Sequence, residues 1–290
     1  PKSRQSITTS FSVGGAEGYM TSGAHENGEL GEIFLKLGKQ QVVWGRTDLF
    51  RVLDVINPVD YSRNNIYDEL QDIRIPMWIA QAEYRMGPSE SMQDRNLQLV
   101  WNFDKFRPNN LGQCGTANVI LDAGCFFRGM KNLWDNGGTV SNFANVGPGV
   151  LLATDFGPGQ IGLRDVKLPN WSLKNTQLGL KYEGVSQDGL SFSLNALTYR
   201  SQLPSLHGGK GATNSFTGET RTDAQGGWPY LIAFDMHFPR VNLIGGSMDF
   251  EWEAANAAVR IEAAYTNGEE FANTAKPELY SSNDVFRAVI

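Results

Sequence analysis

The chain is poor in charge, cysteine and histidine, and it contains no long apolar run. Only 19% of its 290 residues are charged, below the roughly 25% usual in soluble domains. Asp and Glu (31) outnumber Lys and Arg (25), the net charge is −6, and no basic tract occurs. A nucleic-acid partner is therefore not expected, because phosphates call for clustered Lys and Arg. Two cysteines exclude a disulfide-built scaffold, and the absence of a Cys-x-x-Cys-His motif excludes covalent haem within this chain. His25, His207 and His237 stand far apart, with no Gly-x-Ser-x-Gly elbow to accompany them. An enzyme is not expected, and a membrane lipase using His and Ser is the weak enzymatic alternative. No cofactor is expected. A helical membrane span needs ~20 mostly apolar residues, whereas the longest uncharged stretches, such as 136–154, are broken by Gly, Asn and Pro. The opening Pro-Lys-Ser-Arg-Gln-Ser holds no apolar signal core, so an export peptide is read as removed or lying upstream.

What the chain has instead is period-two alternation, in runs of about ten residues separated by turn-rich stretches. Between 97 and 104, Leu97, Leu99, Trp101 and Phe103 alternate with Gln98, Val100, Asn102 and Asp104. Residues 177–183 and 190–196 repeat the pattern and form a hairpin across 184–189; residues 246–252 and 257–266 form another. A further strand covers 74–85, and weaker ones cover 5–13 and 32–43. Connections alternate in length: short at 86–95, 184–189 and 253–256, long at 44–73, 104–174, 200–239 and 267–283. The same parity puts the apolar run 229–238 inside a long loop.

This asymmetry predicts an all-β fold: an antiparallel transmembrane β-barrel with short periplasmic turns and long extracellular loops, in the outer membrane of a Gram-negative bacterium. Residues 104–174 would be the largest outer loop. The competing reading is a soluble secreted β-sandwich or solenoid whose apolar face is a core. In the barrel reading the apolar-face aromatics sort into two girdles: Trp78, Trp101, Phe103 and Tyr265 near the long loops, and Tyr84, Tyr182 and Trp252 near the short turns. Such rings favour the boundary between lipid and water. The opposite parity assigns Gln98, Asn102, Lys181, Glu183, Asp249, Glu251, Arg260 and Glu262 to the lumen. There they are expected to tune conductance, and a change at Gln98 is expected to be mild. The count of about nine strands is odd, and the first strand is read as starting on the outer side. Together these imply a partial barrel, incomplete at both ends.

The segment 46–73 interleaves Arg46, Asp48, Arg51, Asp54, Asp60 and Arg63 with apolar residues such as Leu49, Phe50, Leu53 and Ile56. It reads either as a folded-in constriction or plug that sets selectivity, or as an outer loop packed on itself by ion pairs. Asp68, Glu69 and Asp72 fit a helical turn that could gather calcium, though solvated carboxylates are the simpler reading and no metal is expected. Gly208-Gly209-Lys210-Gly211 lacks the strand and helix of a phosphate loop. Cys114 and Cys125 both fall in the largest loop, where an oxidising compartment favours a disulfide over free thiols.

The run Leu37-Gly38-Lys39-Gln40-Gln41-Val42-Val43-Trp44-Gly45-Arg46, followed by Asp54-Val55-Ile56-Asn57-Pro58-Val59-Asp60, resembles a proteobacterial family catalogued as domain of unknown function 1302. Asp72 to Trp78, Leu97 to Asp104, Phe238-Pro239-Arg240-Val241, Gly245-Gly246-Ser247 and Arg260 to Tyr265 are also similar to it. The resemblance implies an outer-membrane β-barrel from a considerably longer chain. It also implies an association with exporters of the resistance-nodulation-division superfamily in the inner membrane, with a periplasmic partner, and passage of hydrophobic or lipid-like molecules. It supplies no catalytic residue, and Trp44, Arg46, Asn57, Pro58 and Asp60 are positions of likeness without a role. The expected function is passage or export of a small solute through a polar lumen in contact with outer-membrane lipid. The alternative is a structural barrel that docks a partner and conducts nothing.

Overall fold

The computed structural model describes residues 5–11, 18–24, 32–47, 50–61, 70–110, 138–139, 160–211, 231–273, 275–276 and 278–290. They form β1 (Gln5–Phe11), β2 (Gly18–Ala24), β3 (Glu32–Gln40), the short helix α1 (Leu70–Ile73), β4 (Met77–Arg85), β5 (Met92–Asn102), β6 (Gly138–Thr139), β7 (Gln160–Val166), β8 (Gln177–Ser186), β9 (Ser191–Arg200), β10 (Ser205–Gly211), β11 (Leu231–His237), β12 (Arg240–Trp252), β13 (Ala257–Ala272) and β14 (Tyr280–Val289). The fold is all-β, with almost no helix, and no described helix is long and apolar enough to cross a membrane.

Ten strands make one antiparallel sheet in the order β1-β2-β3-β4-β5-β8-β9-β12-β13-β14. Among the described residues β1 and β14 each pair with one neighbour, so this sheet is open. The four intervening strands form a second sheet, β10-β11-β7-β6, in which β11 and β7 run parallel. The apolar run 229–238 therefore supplies β11, inside a long excursion between β9 and β12.

Turn chemistry fixes the short ends. Gly189 closes the β8–β9 turn with φ 84°, and Asn256 takes φ 48° between β12 and β13; both conformations suit residues without a branched Cβ. The strand count differs from the sequence-based one because Gly18–Ala24, rich in Gly, Ser and Thr, carries no apolar alternation yet pairs with both β1 and β3. With β2 present, β1 begins at the short-turn edge and not at the long-connection edge expected for it. The 267–283 connection is also shorter than expected. β13 runs on to Ala272, with Gly268 at φ 89° absorbing a register shift against β14, so only residues 273–279 connect the two strands.

Candidate functional site

Alternation gives the main sheet two faces, and their burial is the reverse of a soluble core. Leu35, Ala82, Leu99, Leu180, Ala196, Ile244, Tyr265 and Phe286 stand opposite one another in a continuous row from β3 to β14. The next row towards the short turns is Ile33, Tyr84, Leu97, Tyr182, Leu194, Gly246, Ala263 and Ala288. Both rows are apolar or aromatic throughout, yet Leu99 is 45% exposed and Ile244 68%. On the opposite, inner face Gln98, Asn102, Lys181, Ser193, Asn195 and Thr266 are buried, and Glu262 is 0% exposed.

The inner face is covered by residues 41–61. This segment owes its shape to two buried polar centres. Asn57 accepts the Val42 N–H (2.8 Å) and donates to the carbonyls of Gln40 (3.1 Å) and Ile75 (3.0 Å). Asp54 Oδ2 receives Arg74 at 2.8 Å and Arg51 at 3.4 Å. A polar group buried without a partner costs ~1–3 kcal/mol, so each of these bonds penalises any other path of the chain.

Anchors then tie the segment to the sheet. The Trp44 indole N–H donates to Gln98 Oε1 at 2.6 Å. Arg46 pairs with Asp249 and lies 3.9 Å from Glu183. The backbone N–H groups of Arg46 and Thr47, the latter at 2.7 Å, both donate to Glu262 Oε1. Gln202 donates to the Val55 carbonyl at 2.9 Å, and Asn109 Oδ1 accepts the Val59 N–H at 2.9 Å.

Apolar packing completes the fit. Trp44, Leu53 and Ile56 share a core with Ile79, Val100, Leu197 and Leu243 of the sheet. Two inner-face positions lack side chains where this segment needs room. A Cβ on Gly179 would overlap the Trp44 ring, and one on Gly245 would lie 2.7 Å from Leu53 Cδ2.

Towards the short turns the inner face becomes polar. Lys181 Nζ is 2.5 Å from Glu183 Oε2, and Glu83 Oε1 accepts Gln98 at 3.0 Å and Gln81 at 2.5 Å. A cavity of about 370 Å³ opens here, bordered by Lys36, Gln81, Glu83, Arg85 and Gln98. Its donors and acceptors bind water and polar groups well, but they contain neither a nucleophile–base pair nor a metal set. Among the described residues no group of three His, Cys, Asp or Glu side chains could hold a metal ion.

Of the polar residues assigned from parity, Gln98, Asn102, Lys181, Glu183, Asp249 and Glu262 lie on the inner face, buried or half-buried. Glu251 and Arg260 share their parity but are exposed near the short-turn edge. Of the girdle residues, Trp78, Tyr84, Trp101, Trp252 and Tyr265 are exposed, while Phe103 and Tyr182 are half-buried. Arg46, Arg51, Asp54 and Asp60 belong to the covering segment; Asp48, Arg63, Asp68, Glu69, Cys114 and Cys125 lie outside the described residues. Sequence reasoning missed Glu83, Ser193, Asn195, Gly179 and Gly245. The two glycines sat in plain view as gaps in otherwise regular alternation, the usual sign of close approach by another backbone or side chain.

The family model described as "Protein of unknown function (DUF1302)" matches residues 19–285. The chain belongs to this family. The positions of family likeness Trp44, Arg46 and Asn57 thus acquire a structural role, holding residues 41–61 against the inner face. One stretch of 53 residues is 53% identical to vitamin B12-dependent ribonucleotide reductases of Streptantibioticus cattleyicolor, Streptomyces clavuligerus and Streptomyces coelicolor. It covers 18% of this chain and 9%, 6% and 6% of those proteins, so the chain spans less than a tenth of the curated relatives it matches. No solved structure matches the chain.

Proposed function

We propose that this chain supplies strands of an outer-membrane β-barrel that passes or exports small molecules, with residues 41–61 forming a plug that narrows its lumen. The observation that carries the reading is the reversed burial. An apolar surface about eight strands wide and three rows tall covers on the order of 700 Å², from ~4.8 Å between strands and ~6.8 Å between same-face rows. Soluble monomers seldom leave more than a few hundred Å² of contiguous apolar surface in water, whereas hydrocarbon makes it favourable.

The slant of the apolar band gives independent support. In β4 and β5 the band extends beyond the Leu35–Phe286 row to Trp78 and Phe103. In β12 and β13 that row is followed by Asn242 and Asn267, and the band extends the other way to Trp252 and Ala257. It slides about one residue per strand, so ~3.4 Å of rise over ~4.8 Å of spacing inclines the strands by ~35°. Membrane barrels tilt by about 35–45°.

The plug's apolar side faces the long-connection half, leaving a charged vestibule at the short turns. Small solutes, hydrophobic ones included, would cross where the plug yields. The short turns are the natural docking face for a periplasmic partner of an inner-membrane exporter. The chain's part is passage and requires no bond to be broken. Reconstitution of the full chain into planar bilayers tests this: discrete conductance or solute uptake is expected. Silence together with stable monomeric behaviour in detergent-free buffer would overturn the reading, and silence with a tightly copurifying partner would favour a structural barrel.

A further inference from the structure

The outward face changes character at the long-connection edge. Beyond the apolar rows stand two cationic clusters with an aromatic groove beside them. Lys39 lies directly across from Trp78, and Lys105 borders a groove of about 510 Å³ formed with Leu37, Trp78, Phe103 and Trp171. The Trp171 indole N–H donates to the Phe103 carbonyl at 2.9 Å, and its side of the groove is open, since Trp171 is 61% exposed. The acid in the groove's lining, Asp104, is occupied by the backbone N–H groups of Trp78 (3.1 Å) and Lys105 (2.8 Å).

The second cluster lies across β8. Arg200 and Arg240 are direct cross-strand partners on the same face. Like charges set opposite each other on a sheet repel, yet both guanidiniums are held in place by neutral acceptors. Arg200 donates to Asn175 Oδ1 (3.1 and 2.8 Å) and the Phe238 carbonyl (3.0 Å). Arg240 donates to Thr198 Oγ1 (2.9 Å) and the carbonyls of Lys174 (2.7 Å) and Thr176 (3.0 Å). Lys174 is exposed beside them and pairs with no carboxylate among the described residues. Trp101 joins the two clusters, its ring tilted at 47° against Phe103 with centroids 5.2 Å apart and its indole N–H donating to Thr176 Oγ1 at 3.2 Å. Among the described residues the short-turn edge has no such excess of cations: Glu90, Asp94, Asp188, Glu251 and Glu253 sit there beside Arg85, Arg95 and Arg260.

We infer that this rim is a binding site for phosphorylated lipid of the leaflet on the long-connection side: phosphate sits between Arg200, Arg240 and Lys174, with a second anionic group reached by Lys39 and Lys105, and acyl chain fills the Leu37–Trp171 groove. A rigid pair of guanidiniums offers charge-assisted hydrogen bonds to phosphate, and aromatic rings mark the depth at which headgroup meets chain. The inference rests on the membrane-barrel reading and names the lipid that barrel would hold.

Native mass spectrometry of the full chain in detergent, titrated with diphosphorylated lipid A or with phosphatidylethanolamine, tests it. Lipid A is expected to bind in preference, and Lys39→Gln with Lys105→Gln, or Arg200→Gln with Arg240→Gln, to weaken it at least about tenfold, the worth of one charge-assisted contact. The two lysine ammonium groups make no hydrogen bond among the described residues, so their variant keeps the test sound if the arginine variant misfolds. Arg95→Gln at the opposite edge should leave binding unchanged. Equal binding of both lipids, insensitivity to the lysine variant, or binding of inorganic phosphate without preference for lipid A would each overturn the inference. A chain that inserts into bilayers while failing these arms refutes the lipid site alone; one that does not insert refutes the barrel itself.

Discussion

At the scale of single residues, the two faces of one strand make opposite demands. Leu99 and Leu180 are cross-strand partners in the middle of the exposed row. In the proposed barrel, Arg at either should destabilise the fold by ~2–4 kcal/mol, the cost of a cation near the bilayer midplane, measured by urea unfolding in lipid vesicles. Glu251→Arg, at the exposed edge of the inner face, should be nearly neutral. Gln98 is a different case. Parity alone marked it as a lumen side chain that would tolerate change, but it accepts the buried Trp44 N–H, and its loss strands that donor. The sequence could show which way Gln98 points; it could not show what lies across from it, because that partner is 54 residues away.

A second residue-scale expectation concerns the outer sheet. His207 Nε2 meets Glu270 Oε2 at 2.6 Å, and its ring stacks on His237 at 4.1 Å and on Tyr280 at 3.7 Å, joining β10 and β11 to β13 and β14. Burial, then the His207 and Lys167 charges, lower the His237 pKa below its ordinary 6.5, against smaller opposing effects of Asp235 and Glu270. The folded form therefore binds fewer protons than the unfolded one as pH falls below that value. The contribution is fully present above pH ~6.5 and is lost as pH drops through the lowered value. Amide-exchange protection in β11, taken relative to the intrinsic rate at each pH, should fall on acidification over this range, and His237→Phe should flatten the profile.

At the scale of elements, the segment 41–61 is seated by absence as much as by contact. Gly179 and Gly245 leave recesses that Trp44 and Leu53 occupy. Filling the Gly179 recess should unseat the segment while leaving strand pairing intact, whereas a Cβ on Gly245 would also meet the Ala263 carbonyl of β13 at 2.5 Å. In the proposed barrel Gly179→Leu is expected to raise single-channel conductance several-fold relative to the parent, while the heat-modified mobility of the folded protein persists. Unchanged conductance with an intact barrel would mean that residues 41–61 do not obstruct the path. Charges and greasy residues interleaved between 46 and 60 were visible in the sequence as a segment too apolar to be solvated. That the segment packs against the inner face of the sheet was not visible, because this depends on Glu262 and Asp249, more than 200 residues downstream, receiving Arg46 and Thr47.

At the scale of the molecule, the strands that alternate cleanly, β4, β5, β8, β9, β12 and β13, were legible in place and order, because an apolar face and a polar face impose period two on each, although β5, β12 and β13 run five or six residues beyond the expected spans. The strand without that contrast, β2, was invisible, and overlooking it made the count odd and set the first strand running the wrong way. The second sheet was equally hidden, since a parallel pairing such as β11 with β7 depends on segments far apart in the chain.

β13 spans sixteen residues, ~54 Å at ~3.4 Å each. Inclined by ~35° it still rises ~44 Å, against a hydrocarbon core ~30 Å thick. In the proposed barrel the last residues of this strand, Glu269 to Ala272, braced by Arg287 through Glu269, would therefore stand clear of the lipid, and the exposed Phe271 would sit above the bilayer surface.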